Sequence, residues 1–203
     1  MLMSRDRIRP TRQETREQLF EAAAKVFTEQ GIGASVEAIS SAAGLTRGAF
    51  YSNFGGKDEL IAAMLADHVA QSVGRYLDLL ARHPDPDDFM AALWEAERTE
   101  QDPLGRSPLL HLELVLYAAR TARYRAESGE FLRARRRLIA DIVEGIGLAE
   151  PGSGLPDPEE LAAMLLAMED GFRVHQLIDP DSTPSDSFLR SVSALHEAFR
   201  PAR

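Results

Sequence analysis

The sequence predicts an all-α protein of about nine helices, with a small helix-turn-helix unit at its N-terminus and a larger helical body after it. Three observations predict this. Apolar residues recur at helical spacing along the chain, and no convincing alternating strand or hairpin turn interrupts them. Capping side chains stand at regular intervals, several followed by proline at the first helical position. Residues 35–54 read as two short helices on either side of a glycine turn.

Thr11-Arg-Gln-Glu14 is a capping box, after which Leu19, Ala22, Ala23, Val26 and Phe27 form a stripe that Gly31 ends. Ser35 caps a helix from about Val36 to Ala43, with Glu37 in its positive first turn and Val36, Ile39 and Ala43 on its buried side. Gly44 supplies the left-handed residue past that helix, and Thr46 caps the next. In the second helix Gly48 and Ala49 are small enough to approach a groove floor. Arg47 and Tyr51 reach outward there, and Phe50 and Phe54 turn inward. Lys57-Asp58-Glu59 opens a helix that can reach Arg82. Asp85-Pro86, Ser107-Pro108, Asp157-Pro158 and Thr183-Pro184 predict starts near 86, 108, 158 and 184, and 130–147 fits one more helix after a break at Ser128-Gly129. Residues 150–156 have linker composition, and no internal repeat is present.

At 203 residues and 44% hydrophobic content, the chain can form a small domain and a medium one. No run approaches 18 apolar residues and the first ten lack a signal-peptide core, so a cytoplasmic protein with no membrane partner is expected. The absence of cysteine removes disulfides, thiolate metal sites and cysteine nucleophiles. The net charge of −9 is unevenly spread. Residues 1–57 carry eight basic side chains (Arg5, Arg7, Arg9, Arg12, Arg16, Lys25, Arg47, Lys57) and six acidic ones; the rest carry fifteen and twenty-six. A basic head on an acidic body can meet phosphates with one face while the remainder repels them.

No histidine pattern fits a metal site, and no phosphate loop, nucleophile elbow or spaced carboxylate pair stands out, so neither an enzyme nor a cofactor is expected. His111 and His175 sit in apolar helical stretches as core or pocket residues, whereas His68, His83 and His196 read as surface. The run Arg133, Arg135, Arg136, Arg137 reads as a solvated face, as does the pair Glu169-Asp170. On 158–178 the residues Leu161, Met164, Leu165, Met168 and Phe172 form a stripe, and Leu166 and Ile178 extend apolar character to a second side. On 184–200, Phe188, Val192, Leu195 and Phe199 repeat helically. Two such helices per chain can pair across a two-fold axis as a four-helix bundle. The central aromatics Phe89, Trp94, Tyr117, Tyr124, Phe131 and Phe172, with Met90, Met164 and Met168, fit a plain core or an effector pocket.

With Gly48, Tyr51 and a closing Phe54 at this spacing, followed by Lys57, residues 11–60 resemble the TetR family of bacterial repressors. The bulky pair common before the closing Phe is here Ser52-Asn53, which reaches less far toward phosphate. The resemblance implies a DNA-binding domain at 1–57 and a regulatory and dimerisation domain at 58–203. The expected DNA contacts are Arg12, Ser35, Thr46, Arg47, Gly48, Tyr51, Ser52, Asn53 and Lys57. The expected effector pocket draws on Trp94, His111, Tyr117, Met168, Phe172 and His175. Its expected partners are a double-stranded operator, a second copy of the chain and a small, largely apolar effector. A dimeric helix-turn-helix protein without an effector is the alternative. An all-helical enzyme or lipid carrier leaves residues 35–54 unexplained.

Overall fold

The computed structural model describes residues 11–98, 107–147 and 154–198. Among them are nine helices and no strand: α1 (Arg12–Gln30), α2 (Val36–Ala42), α3 (Arg47–Tyr51), α4 (Lys57–Arg82), α5 (Pro86–Arg98), α6 (Pro108–Arg120), α7 (Ala122–Gly145), α8 (Pro158–Ile178) and α9 (Ser187–Ala198). Contacts divide the chain into Met1–Met64, here the head, and Leu65–Arg203, here the body; the division falls inside α4. Arg5, Arg7, Arg9 and Phe199, and the side chains of Tyr124 and Phe131, lie outside the described residues, as does 150–153 of the expected linker.

In the head, local chemistry sets the elements. Thr11 Oγ1 accepts from the Glu14 backbone N–H while the Glu14 carboxylate accepts from that of Thr11, closing the capping box. Gly31 at φ 79° ends α1. α2 stops at Ala42, with Ala43 as its C-cap, and Gly44 takes φ 67°, the left-handed conformation that turns the chain toward α3. Leu19, Phe27, Ile39, Phe50, Phe54, Leu60 and Ile61 are fully buried. Phe54 lies 5.8 Å from both Phe20 and Phe50.

The body packs α7 most extensively against α8. Its core gathers Leu79 from α4, Phe89, Met90 and Leu93 from α5, Leu138, Ile142 and Val143 from α7, Leu161 and Leu165 from α8, and Leu189 and Val192 from α9. Two boundaries differ from expectation. α7 runs unbroken through Ser128-Gly129, because one glycine costs a helix only about 1 kcal/mol and twenty-four residues of backbone bonding offset it. α9 begins at Ser187 and not at Pro184: Pro184–Asp186 form a turn closed by Ser187 N–H to the Pro184 carbonyl, and the Asp186 carbonyl then takes the first helical bond from Arg190.

Several side chains expected at the surface are interior. His68 is 4% exposed because Met64, His68 and Ser72 continue the inward i, i+4 stripe of α4, a stripe the polar residues conceal. His196 is buried with its Nε2 3.2 Å from Asp87 Oδ1. Arg135 is buried although Arg133, Arg136 and Arg137 are exposed, and Glu169 is enclosed with it; their pairing offsets part of the cost of burying the two charges. Conversely, His175 and Met164 are exposed. On α9, Phe188, Val192 and Leu195 pack into the body's own core.

Candidate nucleic-acid interface and small-molecule cavity

Phe50, wholly buried, anchors α3, while Arg47, Gly48 and Tyr51 of the same helix are exposed. Ser35 and Thr46 cap α2 and α3 by accepting from Ala38 and Ala49 N–H at 3.1 Å each. Arg12, Ser35, Thr46, Arg47, Gly48, Tyr51 and Ser52 are exposed. Arg47 Nη1 lies 2.6 Å from Glu37 Oε1, and its guanidinium sits 5.4 Å from the centre of the Tyr51 ring. Hydrogen bonding to Tyr51 and the Glu37 charge both hold Arg47 more firmly protonated. A Cβ built on Gly48 would meet only Thr46 Oγ1, at 3.7 Å, so nothing in the folded head requires glycine there.

Two of the expected DNA contacts have intramolecular tasks. Lys57 Nζ donates to the carbonyls of Ile32 (2.8 Å) and Ala34 (3.2 Å), tying the α1–α2 connection to the start of α4. Asn53 is buried; its amide donates to the Ala49 carbonyl at 2.8 Å, and its Oδ1 has no hydrogen-bond partner among the described residues. Sequence reasoning missed Arg16, whose guanidinium stacks 4.4 Å from the Phe54 ring centre and donates to the Asn53 carbonyl. It also missed the Glu37–Arg47 pair. A basic residue ten positions after an acid, across a turn between two short helices, was the available signal.

The body holds a cavity of about 70 Å³ whose lining includes Tyr76, Phe89, Met90, Leu165, Phe188 and Glu169. None of Trp94, His111, Tyr117, Met168, Phe172 and His175 lines it. Trp94 Nε1 donates instead to Ser193 Oγ, joining α5 to α9, and Met168 packs on the core. Tyr117 and Phe172 are half-buried. His111 is buried edge-on to His68, ring centres 5.3 Å apart, and its Nδ1 has no hydrogen-bond partner among the described residues. Glu169 accepts from Arg135 at 2.7 Å and from Arg173 at 2.6 Å. Burial alone would raise the Glu169 pKa, but the two guanidinium groups hold it at about 2. Burial, then the charges of Arg173, His68 and Arg135, push the His111 imidazole down to about 3, so it is neutral at pH 7. Burial and the neighbouring Glu169 raise the Asp170 carboxyl. The cavity thus offers an apolar wall and one ionised, doubly clamped carboxylate.

Residues 19–64 match the bacterial regulatory proteins of the tetR family, and residues 104–200 match the C-terminal region of BetI-type transcriptional repressors. The HTH-type transcriptional regulator TtgR of Pseudomonas putida is 34% identical, over 84% of this chain and 83% of its own. The chain belongs to the TetR family. This TetR-family regulator is also 29% identical to the HTH-type transcriptional repressor Rv1474c of Mycobacterium tuberculosis, over 78% of this chain and 92% of that one. A putative transcriptional regulator from Saccharomonospora viridis, solved in complex with choline, shares the fold with a TM-score of 0.71 at 18% identity, over 91% of this chain and 96% of that one. The protein is therefore a DNA-binding transcriptional regulator of helix-turn-helix type, in a family whose members are generally repressors. Among the described residues no helix is long and apolar enough to cross a membrane.

Proposed function

We propose that the chain is a homodimeric repressor that reads a palindromic operator with α3 of each copy and is released by a small, largely apolar effector. The exposed arrangement of Arg47, Gly48 and Tyr51 around the buried Phe50 anchor carries this reading. Arg47 supplies a donor fork for guanine, and Gly48 leaves the backbone open to close approach. In this reading Arg12, Ser35, Thr46 and Ser52, all exposed, contact flanking backbone or bases, with Lys57 and Asn53 supporting the geometry from within.

A second copy is supported by α8, which exposes Met164 (55%), Ala167, Val174 and Ile178 (77%) along one face, with Leu177 beside it. Their spacing is that of a helix–helix seam, and exposed apolar residues so aligned are unusual on a monomer. Release by a ligand is supported by the cavity and by Glu169 in its lining, a carboxylate able to accept a hydrogen bond from a polar group on an otherwise apolar molecule. A cavity of about 70 Å³ is small, so a larger effector must displace side chains such as Phe188 or Met90. That displacement is the means by which binding favours one body conformation over another. α4 belongs to both units along its length, which makes it the covalent route for the change. That a solved neighbour of this fold carries choline supports a small-molecule ligand.

The test is selection of a duplex from a random pool with the full-length protein, then competition by a panel of neutral aromatic and aliphatic molecules. A palindromic consensus and release by at least one class are expected, and Ile178→Asp should yield a monomer with weakened operator binding. Palindrome binding that no molecule relieves would leave a dimeric regulator without an effector.

A further inference from the structure

On α2 and α3 the charged residues are Glu37 and Arg47 alone. A carboxylate on a face that meets phosphates is repelled by them, so Glu37 opposes the binding that Arg47 promotes unless the two act together. They are together: the oxygen–nitrogen separation is 2.6 Å, with the side chains 55% and 63% exposed. Tyr51 lies under the same guanidinium. An arginine has five N–H donors in a planar fork, and Glu37 and Tyr51 engage only part of it.

Resting on the reading of α3 as the DNA-reading helix, we propose that Glu37 is a specificity-setting residue that acts through Arg47. It neutralises the guanidinium against random phosphates and holds the fork so that its remaining edge meets a guanine. A phosphate reached from any direction must compete with a carboxylate already in place, so Arg47 adds little to binding on arbitrary sequence. Guanine offers two acceptors, N7 and O6, in one plane, and an oriented fork meets both without first losing its rotational freedom. Discrimination therefore rises at both ends: weaker binding to wrong DNA and better-aimed binding to right DNA. Because the exposed pair is solvated, it adds little to the stability of the head, and its value lies in recognition.

The experiment measures binding of the full-length protein to the selected duplex and to a scrambled duplex of equal composition, across a series of salt concentrations. Glu37→Gln, nearly isosteric, should raise affinity for scrambled DNA and steepen its log–log salt slope by about 0.9 per head, the signature of one added phosphate contact. The operator-to-scrambled ratio should fall about 5-fold or more, the low end of what one bidentate base contact discriminates. Glu37→Asp, which keeps the charge, should recover part of the ratio. In an Arg47→Ala background Glu37→Gln should leave the ratio unchanged. An unaltered ratio and slope in Glu37→Gln would overturn the proposal. So would a change that persists without Arg47, since the carboxylate would then act by its own repulsion. If the unmodified protein selects no duplex, the reading of α3 fails, and this inference with it.

Discussion

The head and the body treat polar side chains in opposite ways. In the head the capping side chains bond within a few residues of themselves, as Thr11 with Glu14, Ser35 with Ala38 and Thr46 with Ala49, the charges of α2 and α3 face outward over an apolar core, and only a few cations such as Arg16 and Lys57 reach distant backbone carbonyls. In the body several polar side chains bond across long stretches of chain from at least one buried or half-buried partner: Arg135 with Glu169, Trp94 with Ser193, His196 with Asp87. The contrast separates two tasks. A surface that contributes little to stability can change its chemistry to suit a DNA sequence without unfolding the domain beneath it. An interior that depends on buried charge is sensitive to anything that enters or rearranges it, as the effector release proposed above requires.

The largest expected effect tests the buried charges directly. Glu169→Gln leaves Arg135 and Arg173 enclosed without their anion, and breaking a buried pair of this kind costs about 3 to 5 kcal/mol. Trp94 is the chain's single tryptophan and lies in the body, so its fluorescence during chemical unfolding follows the affected unit. A loss below about 1 kcal/mol, the worth of a surface pair, would mean that the body's charges behave like the head's and would collapse the distinction.

Lys57, like Arg16, is a cation of the head engaged inward. Lys57→Met should remove two charge-assisted bonds to the Ile32 and Ala34 carbonyls and destabilise the head by about 1.5 to 3 kcal/mol. Circular dichroism would read the loss in helix unfolding, with the Trp94 signal as the body's reference. Unchanged stability combined with uniformly weaker DNA binding would return Lys57 to the phosphate-contact role that its position in the sequence suggests.

The same contrast explains what can be read in the sequence. A capping box, an N-cap or a left-handed glycine is a signal three or four residues long, so α1, α2, α3 and their turn are legible, as are the proline-marked starts of α5, α6 and α8. Arg135 and Glu169 are 34 residues apart and each, in its own segment, looks like a solvated charge. His68 interrupts an apolar stripe and so reads as surface. The cavity depends on how five helices pack, and no local pattern distinguishes Phe188 or Tyr76, which line it, from Trp94, which does not. Single breakers mislead for the converse reason. Ser128-Gly129 and Thr183-Pro184 are strong local signals that tertiary packing and a competing turn outweigh.

A third expectation uses pH, because all five histidines lie in the body and none in the head. His111 is held at about 3 when folded, against 6.5 ordinarily, so the unfolded chain binds a proton that the folded one refuses. Stability should therefore fall as pH drops through the window from 6.5 toward 3, with a slope approaching about 1.4 kcal/mol per pH unit for this one group. Glu169, at about 2 against 4.5, acts with the same sign but only below about pH 4.5. Comparing the unmodified protein with His111→Gln between about pH 4.5 and 6.5 isolates the histidine. The variant should flatten the slope of the Trp94-monitored transition, and an equal slope would show that His111 protonates in place.

The smallest expected effect has the sharpest sign. Gly48 stands within α3 at an ordinary helical conformation, and a Cβ there meets nothing closer than 3.7 Å. Replacing glycine by alanine inside a helix stabilises by up to about 1 kcal/mol, since the unfolded chain loses conformational freedom and the helix gains a better former. For the folded head alone, Gly48→Ala should therefore be neutral or mildly stabilising. If the same position faces the floor of a groove, the added methyl group obstructs the close approach that the absence of a side chain allows, and operator affinity should fall while the unfolding midpoint holds or rises. A variant that is more stable and binds less well can be explained only by a glycine kept for something outside the protein. A variant that binds as well as the unmodified chain would move the groove-facing surface away from Gly48 and toward the Arg47 and Tyr51 side chains alone.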